Sequence, residues 1–390
     1  MSAFVAEVTA RVHQLDEVAP VDRIIFGRAN PFAIAKRDEM ALTSALVADY
    51  VRWHRDHNVG FGRFVGRFEP ADGDDLVASV PVFPIDLFKQ LDLASVPNAE
   101  VVRRFRSSGT SGTVSVVPRD DVTLARFAGS MRVGLRLLEP WLSTDELDIN
   151  VEVVSLTASP QEAGDIWFSY AMALGRAFAS SEFLVQGGVF LAEAAADAIA
   201  RHLANGALVG VVGPPALLMD LLTWMGANGR RVRGRDRIVV LTGGGWKRRI
   251  GEAVEPDELR REAARVLGLD SLEQVRDCFS QVELNSVFVE CAQHRKHVPP
   301  WVHALARSPA TLAPVAPGTM GLLAYIDTSA RSYPCCIISD DFGAIDPEPC
   351  PCGATGTTLR ITRRVARSTG SEGCALKIQH ALQGPEEVDG

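Results

Sequence analysis

The stretch RSSGTSGTVS, residues 106–115, is almost entirely serine, threonine and glycine, and it runs into VSVVPRDD, residues 114–121, a strand candidate. A loop of this composition can be idle linker. It can also cradle phosphate, because small residues let backbone N–H groups point inward while hydroxyls donate further hydrogen bonds. It is not a Walker-type loop, since GxxxxGK[ST] is absent and no lysine follows the second glycine. These residues alone leave both readings open.

Beyond the loop, VTLARFAGSMRVGLRLLEPWL (122–142) carries apolar positions at helical spacing and is expected to end near Pro140. Apolar runs INVEVVSL (149–156), ALVGVVG (207–213) and RIVVLTGGG (237–245) then alternate with the helical patterns LAEAAADAIARHLANG (191–206) and PDELRREAARVLGL (256–269). That alternation predicts an α/β fold with largely parallel strands. Before the loop, EMALTSALVADYVRWHRDHNV (39–59) reads as helix and VPVFPIDLFKQL (80–91) as an extended entry to a short helix. The last ninety residues change character: GLLAYIDTS (321–329) and TLRITRRVAR (358–367) predict a smaller β-rich region.

Composition excludes several classes. The chain has 390 residues, 47% of them hydrophobic, with a formal charge of −8, which disfavours nucleic acid as a partner. The basic run RRVRGRDR (230–237) reads as a solvated loop or as a docking patch for an acidic carrier. No apolar stretch reaches membrane-spanning length, and the first residues lack the pattern of a signal peptide, so a cytoplasmic, membrane-free protein is expected. The seven cysteines, Cys278, Cys291, Cys335, Cys336, Cys350, Cys352 and Cys374, all fall in the last third. An odd, clustered set without an export signal points to metal or thiol chemistry, not to a disulfide framework.

Five stretches in order carry a family resemblance. SSGTSGTVS (107–115) resembles the phosphate loop of the adenylate-forming superfamily of acyl-CoA ligases, luciferases and adenylation domains. LTGGGWK (241–247) resembles its glycine turn beside the adenine and acyl pocket, and FSQVE (279–283) its aromatic-Gly-x-Thr-Glu motif. SDDFG (339–343) resembles Thr-Gly-Asp-Leu-Gly, and TRRVAR (362–367) the Gly-Arg hinge. The GGWK form, HVPPW (297–301) and SEGCAL (371–376) are similar to the LuxE-type acyl-protein synthetase branch, which supplies acyl groups to a fatty acid reductase; phenylacetate-CoA ligases share CPCG.

The resemblance implies an adenylate-forming N-terminal core, two mixed sheets with helices and a smaller β-rich subdomain, over residues 1–362, with 363–390 as a remnant of a largely missing C-terminal domain. It implies ATP-dependent activation of a fatty or aromatic carboxylic acid as an acyl-adenylate, with transfer to a thiol or amine. The acceptor would be CoA, an acyl carrier protein, a reductase or Cys374 itself. The alternative is a nucleotide-binding homologue without full turnover, acting as a partner module.

Carried over by position, Ser107, Ser108, Gly109, Thr110, Ser111 and Gly112 would hold the ATP phosphates, Glu283 would meet Mg2+, and Asp341 would accept hydrogen bonds from the ribose. Gly243, Gly244 and Gly245 would line the nucleotide and acyl pocket, and Arg364 would sit at the hinge. Lys247 or Lys377 would stand in for the catalytic lysine of the missing domain. Ser280, Val282 and Asp340 depart from the family's Gly, Thr and Gly. Cys374 would receive the acyl group, or be a stray thiol on the tail.

ECAQHRKHVPP (290–300) and PCPCGA (349–354) together offer Cys291, His297, Cys350 and Cys352, four ligands suited to a structural Zn2+, with His294 as the rival imidazole.

Overall fold

The computed structural model describes residues 19–66, 77, 79–108, 114–139, 141, 150–177 and 179–364. Helices α1 (Pro20–Ile25), α2 (Lys36–His57) and α3 (Val59–Val65) come first. Leu46, Val47, Tyr50 and His54 form one buried stripe of α2, at the spacing of a single helical face. Asn58 ends that helix and caps the next, its side chain accepting from the Phe61 N–H at 2.8 Å. Strand β1 (Phe83–Pro84) is followed by the hairpin β2 (Arg103–Arg106) and β3 (Val116–Arg119), which brackets the Ser/Thr/Gly loop. Asp120 then caps α4 (Asp121–Leu135), accepting from Thr123 N–H at 2.8 Å.

The α/β part follows as β4 (Val151–Ala158), α5 (Pro160–Ala163), α6 (Trp167–Ala173), β5 (Ser180–Gln186), β6 (Val189–Phe190) and α7 (Ala192–Ala204). It continues through β7 (Leu208–Gly213), α8 (Pro215–Ala227), β8 (Ile238–Gly243), α9 (Pro256–Leu267) and β9 (Val275–Phe279). Strands β5, β4, β7, β8 and β9 pair in that order, all parallel.

The β-rich end contains β10 (Phe288–Glu290), β11 (Lys296–His297), β12 (Val302–Arg307), β13 (Gly321–Asp327), β14 (Cys336–Ile345) and β15 (Thr358–Arg364), paired antiparallel. The mixed sheets expected from the sequence are joined here: among the described residues β10, β11 and β15 link both halves into one 13-stranded sheet, twelve strands on a continuous path and β1 beside β14. Strand β11 is two residues long, too short to show any periodicity in the sequence.

Strand alternation decides where the helices pack. On β8, Ile238 and Val240 belong to the apolar cluster that includes Ala195 and Ile199 of α7, Leu221 of α8 and Ala263 of α9. Val239 faces the opposite cluster, with Phe127 of α4, Trp167 of α6, Phe288 and Tyr325. With both faces covered, these central strands read as unbroken Val/Ile/Leu runs. Each such side chain contributes about 1.5–3 kcal/mol of burial. This packing sends the turns after Gly243 and Phe279 out at the carboxyl ends of neighbouring parallel strands, where open α/β sheets bind ligands. No helix among the described residues is long and apolar enough to cross a membrane.

Candidate active site

Ser107 and Ser115 close the base of the Ser/Thr/Gly loop. The Ser107 N–H donates to the Ser115 carbonyl at 3.1 Å, and the Ser115 N–H donates to Ser107 Oγ at 3.1 Å. Gly109, Thr110, Ser111 and Gly112 lie outside the described residues. The hairpin is pinned on the turn before α6, where Arg103 pairs with Asp165 at 2.9 Å and the Arg106 N–H donates to the Asp165 carbonyl at 2.7 Å.

From the far end of β3, Arg119 reaches the segment that carries Glu283. Its Nη2 donates to the carbonyls of Val282 (2.9 Å) and Leu284 (2.8 Å), the residues on either side of Glu283, and its Nε to Asn285 Oδ1 (3.2 Å). The guanidinium is fully buried and stacks 3.5 Å from the Trp167 ring centroid, with Phe105 and Tyr333 as further walls. Burial pulls its pKa down, and the neighbouring acidic groups Tyr333, Cys335, Asp327 and Glu283 oppose that shift. Glu283 is itself buried, and the Cys335 thiol donates to its carbonyl at 3.0 Å. Composition and motif order did not single out Arg119. Its one signal was an arginine on an otherwise apolar strand, VSVVPR.

The glycine turn and the Glu283 segment leave adjacent strands, Gly243 standing opposite Cys278. A Cβ on Gly243 would meet Cys278 Sγ at 2.9 Å, and one on Gly244 would meet the Phe168 ring at 2.3 Å. Gly244 also has φ +77°, which favours glycine. The turn is therefore seated on α6, whose Met172 lies near Gly243. Beside that seat, Phe105, Phe127, Trp167 and Tyr170 form a chain of ring contacts. Lys247 opens a 3-10 turn over Lys247–Glu252, and its side chain lies outside the description.

Asp341 is buried in β14, where its N–H donates to Ser339 Oγ at 3.1 Å. The Asp341 charge, together with burial, holds the Tyr325 hydroxyl well above its usual pKa, and Tyr325 packs 6.3 Å from the Phe279 ring. Asp341 is thus linked through Tyr325 to the start of FSQVE. Across the β14–β15 ladder the register partner of Asp341 is Arg364. Ser280 Oγ and both amide atoms of Gln281 are buried without a hydrogen-bond partner among the described residues. Such groups cost about 1–3 kcal/mol each unless a ligand or water satisfies them. Cys374 and Lys377 lie outside the described residues.

The cysteine and histidine cluster is separate from these groups. One donor atom each from Cys291, His297, Cys350 and Cys352 lies within 4.8 Å of the others. Cys291 Sγ stands 3.5 Å from Cys350 Sγ, and Cys352 Sγ stands 3.4 Å from His297 Nε2. A tetrahedral ion with 2.3 Å metal–sulfur bonds spaces its ligands by roughly 3.8 Å, close to these values, whereas a disulfide needs about 2.05 Å. The Gln293 and Ala354 N–H groups donate to Cys291 Sγ and Cys352 Sγ at 3.4 Å each, as suits sulfurs carrying negative charge. In the absence of an ion, burial raises the pKa of both Cys350 and Cys352. The donor set therefore fits zinc.

His294 takes no part in that group. It adopts φ +53° and turns its Nδ1 to 3.6 Å from Glu290 Oε2. Alternation along β11 separates the next pair: His297 faces the sulfurs, while Lys296 Nζ bridges Asp277 Oδ2 and Glu290 Oε1, each at 2.9 Å.

A family model described as acyl-protein synthetase, LuxE, matches residues 8–383. Two relatives share the name long-chain-fatty-acid–luciferin-component ligase. The Vibrio harveyi protein is 34% identical over 362 residues, covering 93% of each chain. The Aliivibrio fischeri protein is 30% identical over 375 residues, covering 95% of this chain and 96% of that one. A crystal structure of 2-hydroxyisobutyryl-CoA ligase in an open conformation, in complex with 2-HIB-AMP and CoA, superposes with a TM-score of 0.63 at 15% identity. It covers 86% of this chain and 77% of that chain, a likeness of fold.

Proposed function

The chain belongs to the LuxE acyl-protein synthetase family, and we propose that its acid is a long-chain fatty acid, as the names of its relatives state for them. It is an ATP-dependent ligase of the adenylate-forming type, which activates a carboxylic acid and passes on the acyl group. The observation that supports its site best is a convergence at the carboxyl ends of β8 and β9. There the glycine turn, the segment of the buried Glu283 and the hairpin carrying the Ser/Thr/Gly loop are joined by Gly243–Cys278 packing and by Arg119.

The chemistry needs alignment more than proton transfer. A fatty carboxylate is ionised at neutral pH. It attacks the α-phosphorus, forming the acyl C–O–P bond as the bond to pyrophosphate breaks. Loop residues 107–112 would hold the leaving phosphates, with Glu283 holding the Mg2+ that offsets their charge. Asp341 would fix the ribose, and the unpartnered Ser280 and Gln281 groups stand ready for polar atoms of the nucleotide. Lys247 or Arg364 would supply positive charge at the reacting phosphate.

In the second step a thiolate attacks the acyl carbonyl and AMP leaves with the bonding electrons. Cys374, CoA, a carrier protein or a partner reductase would provide the sulfur. The four-ligand cluster would hold a structural Zn2+, cross-linking the β10–β11 turn to the turn before β15, and the protein would act in the cytoplasm. Pyrophosphate release measured with saturated acids of increasing chain length and with aromatic acids tests the substrate. It should rise toward long chains; release confined to aromatic acids would refute that choice.

A further inference from the structure

We infer that Arg119 is a positioning residue of the adenylation site: it fixes the Glu283 segment, by the carbonyls on either side of that residue, against the strand that leaves the phosphate loop. This rests on the function proposed above. Arg119 lies only four positions after Ser115, at the loop base, about 13 Å of strand at about 3.3 Å per residue. The fork geometry of a guanidinium lets one nitrogen reach Val282 O and Leu284 O while Nε holds Asn285 Oδ1.

The setting argues against Arg119 as plain structural filling. Desolvating a guanidinium costs several kcal/mol even after relaxation. The hydrogen-bond acceptors on Arg119 are all neutral: two carbonyls, the Asn285 amide and the Tyr333 hydroxyl at 3.1 Å. Its Nη1 is buried without a partner among the described residues. Trp167, Phe105 and Tyr333 fix the plane of the group, so the two carbonyls, and Glu283 between them, are held in one place.

The test compares the parent with Arg119→Met and Arg119→Lys by ATP–pyrophosphate exchange, titrating Mg2+ and acid separately. Arg119→Met should raise the Mg2+ concentration for half-maximal exchange about tenfold or more, as loss of charged hydrogen bonds implies, with the KM for acid changed less than about twofold. Arg119→Lys should fall between, since an ammonium lacks the fork. A folded variant with the parent's Mg2+ dependence, or an equal shift for Mg2+ and acid, would overturn the inference. If Arg119→Met shows no cooperative melt, Arg119→Lys decides by the same criterion. If the parent shows no exchange with any acid, the adenylation reading falls instead. Mn2+-ATP binding by calorimetry then still reads the role of Arg119: weaker binding in the variants supports it and unchanged binding refutes it.

Discussion

Cys291 Sγ and Cys350 Sγ stand 3.5 Å apart although they lie 59 positions apart in the chain. That spacing, with His297 and Cys352 completing the set, predicts about one zinc per chain. Cys350→Ser should lower both metal content and melting temperature, because a structural ion contributes folding free energy. Strong chelator should have the same thermal effect on the parent. Elemental analysis that finds no metal in protein purified without chelator would remove the zinc assignment.

The seat of the glycine turn on α6 predicts a compensable defect. Gly244→Ala places a Cβ 2.3 Å from the Phe168 ring at φ +77°, so it should cost about 1–3 kcal/mol in stability and impair acid use. Adding Phe168→Ala should restore part of the acid turnover by making room, although the backbone strain remains. A double-mutant cycle measures this. Strictly additive losses would show that the contact with Phe168 does not set the pocket.

Legibility in the sequence followed from what each signal depends on. The Ser/Thr/Gly hairpin, the glycine turn, Glu283 and Asp341 stood out as candidates because composition and order along the chain mark them. The Val/Ile runs of β7 and β8 announced strands covered on both faces. The choice between His294 and His297 stayed open because it depends on a single left-handed residue and on the alternation of a two-residue strand. The joining of the two halves of the sheet was hidden for the same reason. Arg119 showed only as a charge on an apolar strand, because its partners are backbone carbonyls more than 160 positions away, and carbonyls leave no mark on a sequence.

Cys374 carries a prediction about the acceptor. If it takes the acyl group, incubation with ATP and acid should leave a hydroxylamine-labile adduct on the C-terminal peptide, with the thiol proton lost as the thioester forms. Cys374→Ser should abolish the adduct while pyrophosphate exchange continues. Full acyl transfer by that variant to CoA or a carrier would move the role to the external thiol.

The central claim is that residues 107–112 and Glu283 bind the phosphates of ATP and their Mg2+. Its most direct test is acid-dependent exchange of labelled pyrophosphate into ATP by the parent, Thr110→Val and Glu283→Gln. Thr110→Val keeps the side-chain shape and removes one hydrogen bond to a charged oxygen, a loss of about 1.5–3 kcal/mol, or roughly ten- to a hundredfold in exchange. Glu283→Gln should lose more, because it removes the charge that holds Mg2+. Both variants should still unfold cooperatively, showing that the loss is one of function. Parent-like exchange in both, with an acid the parent accepts, would contradict the account.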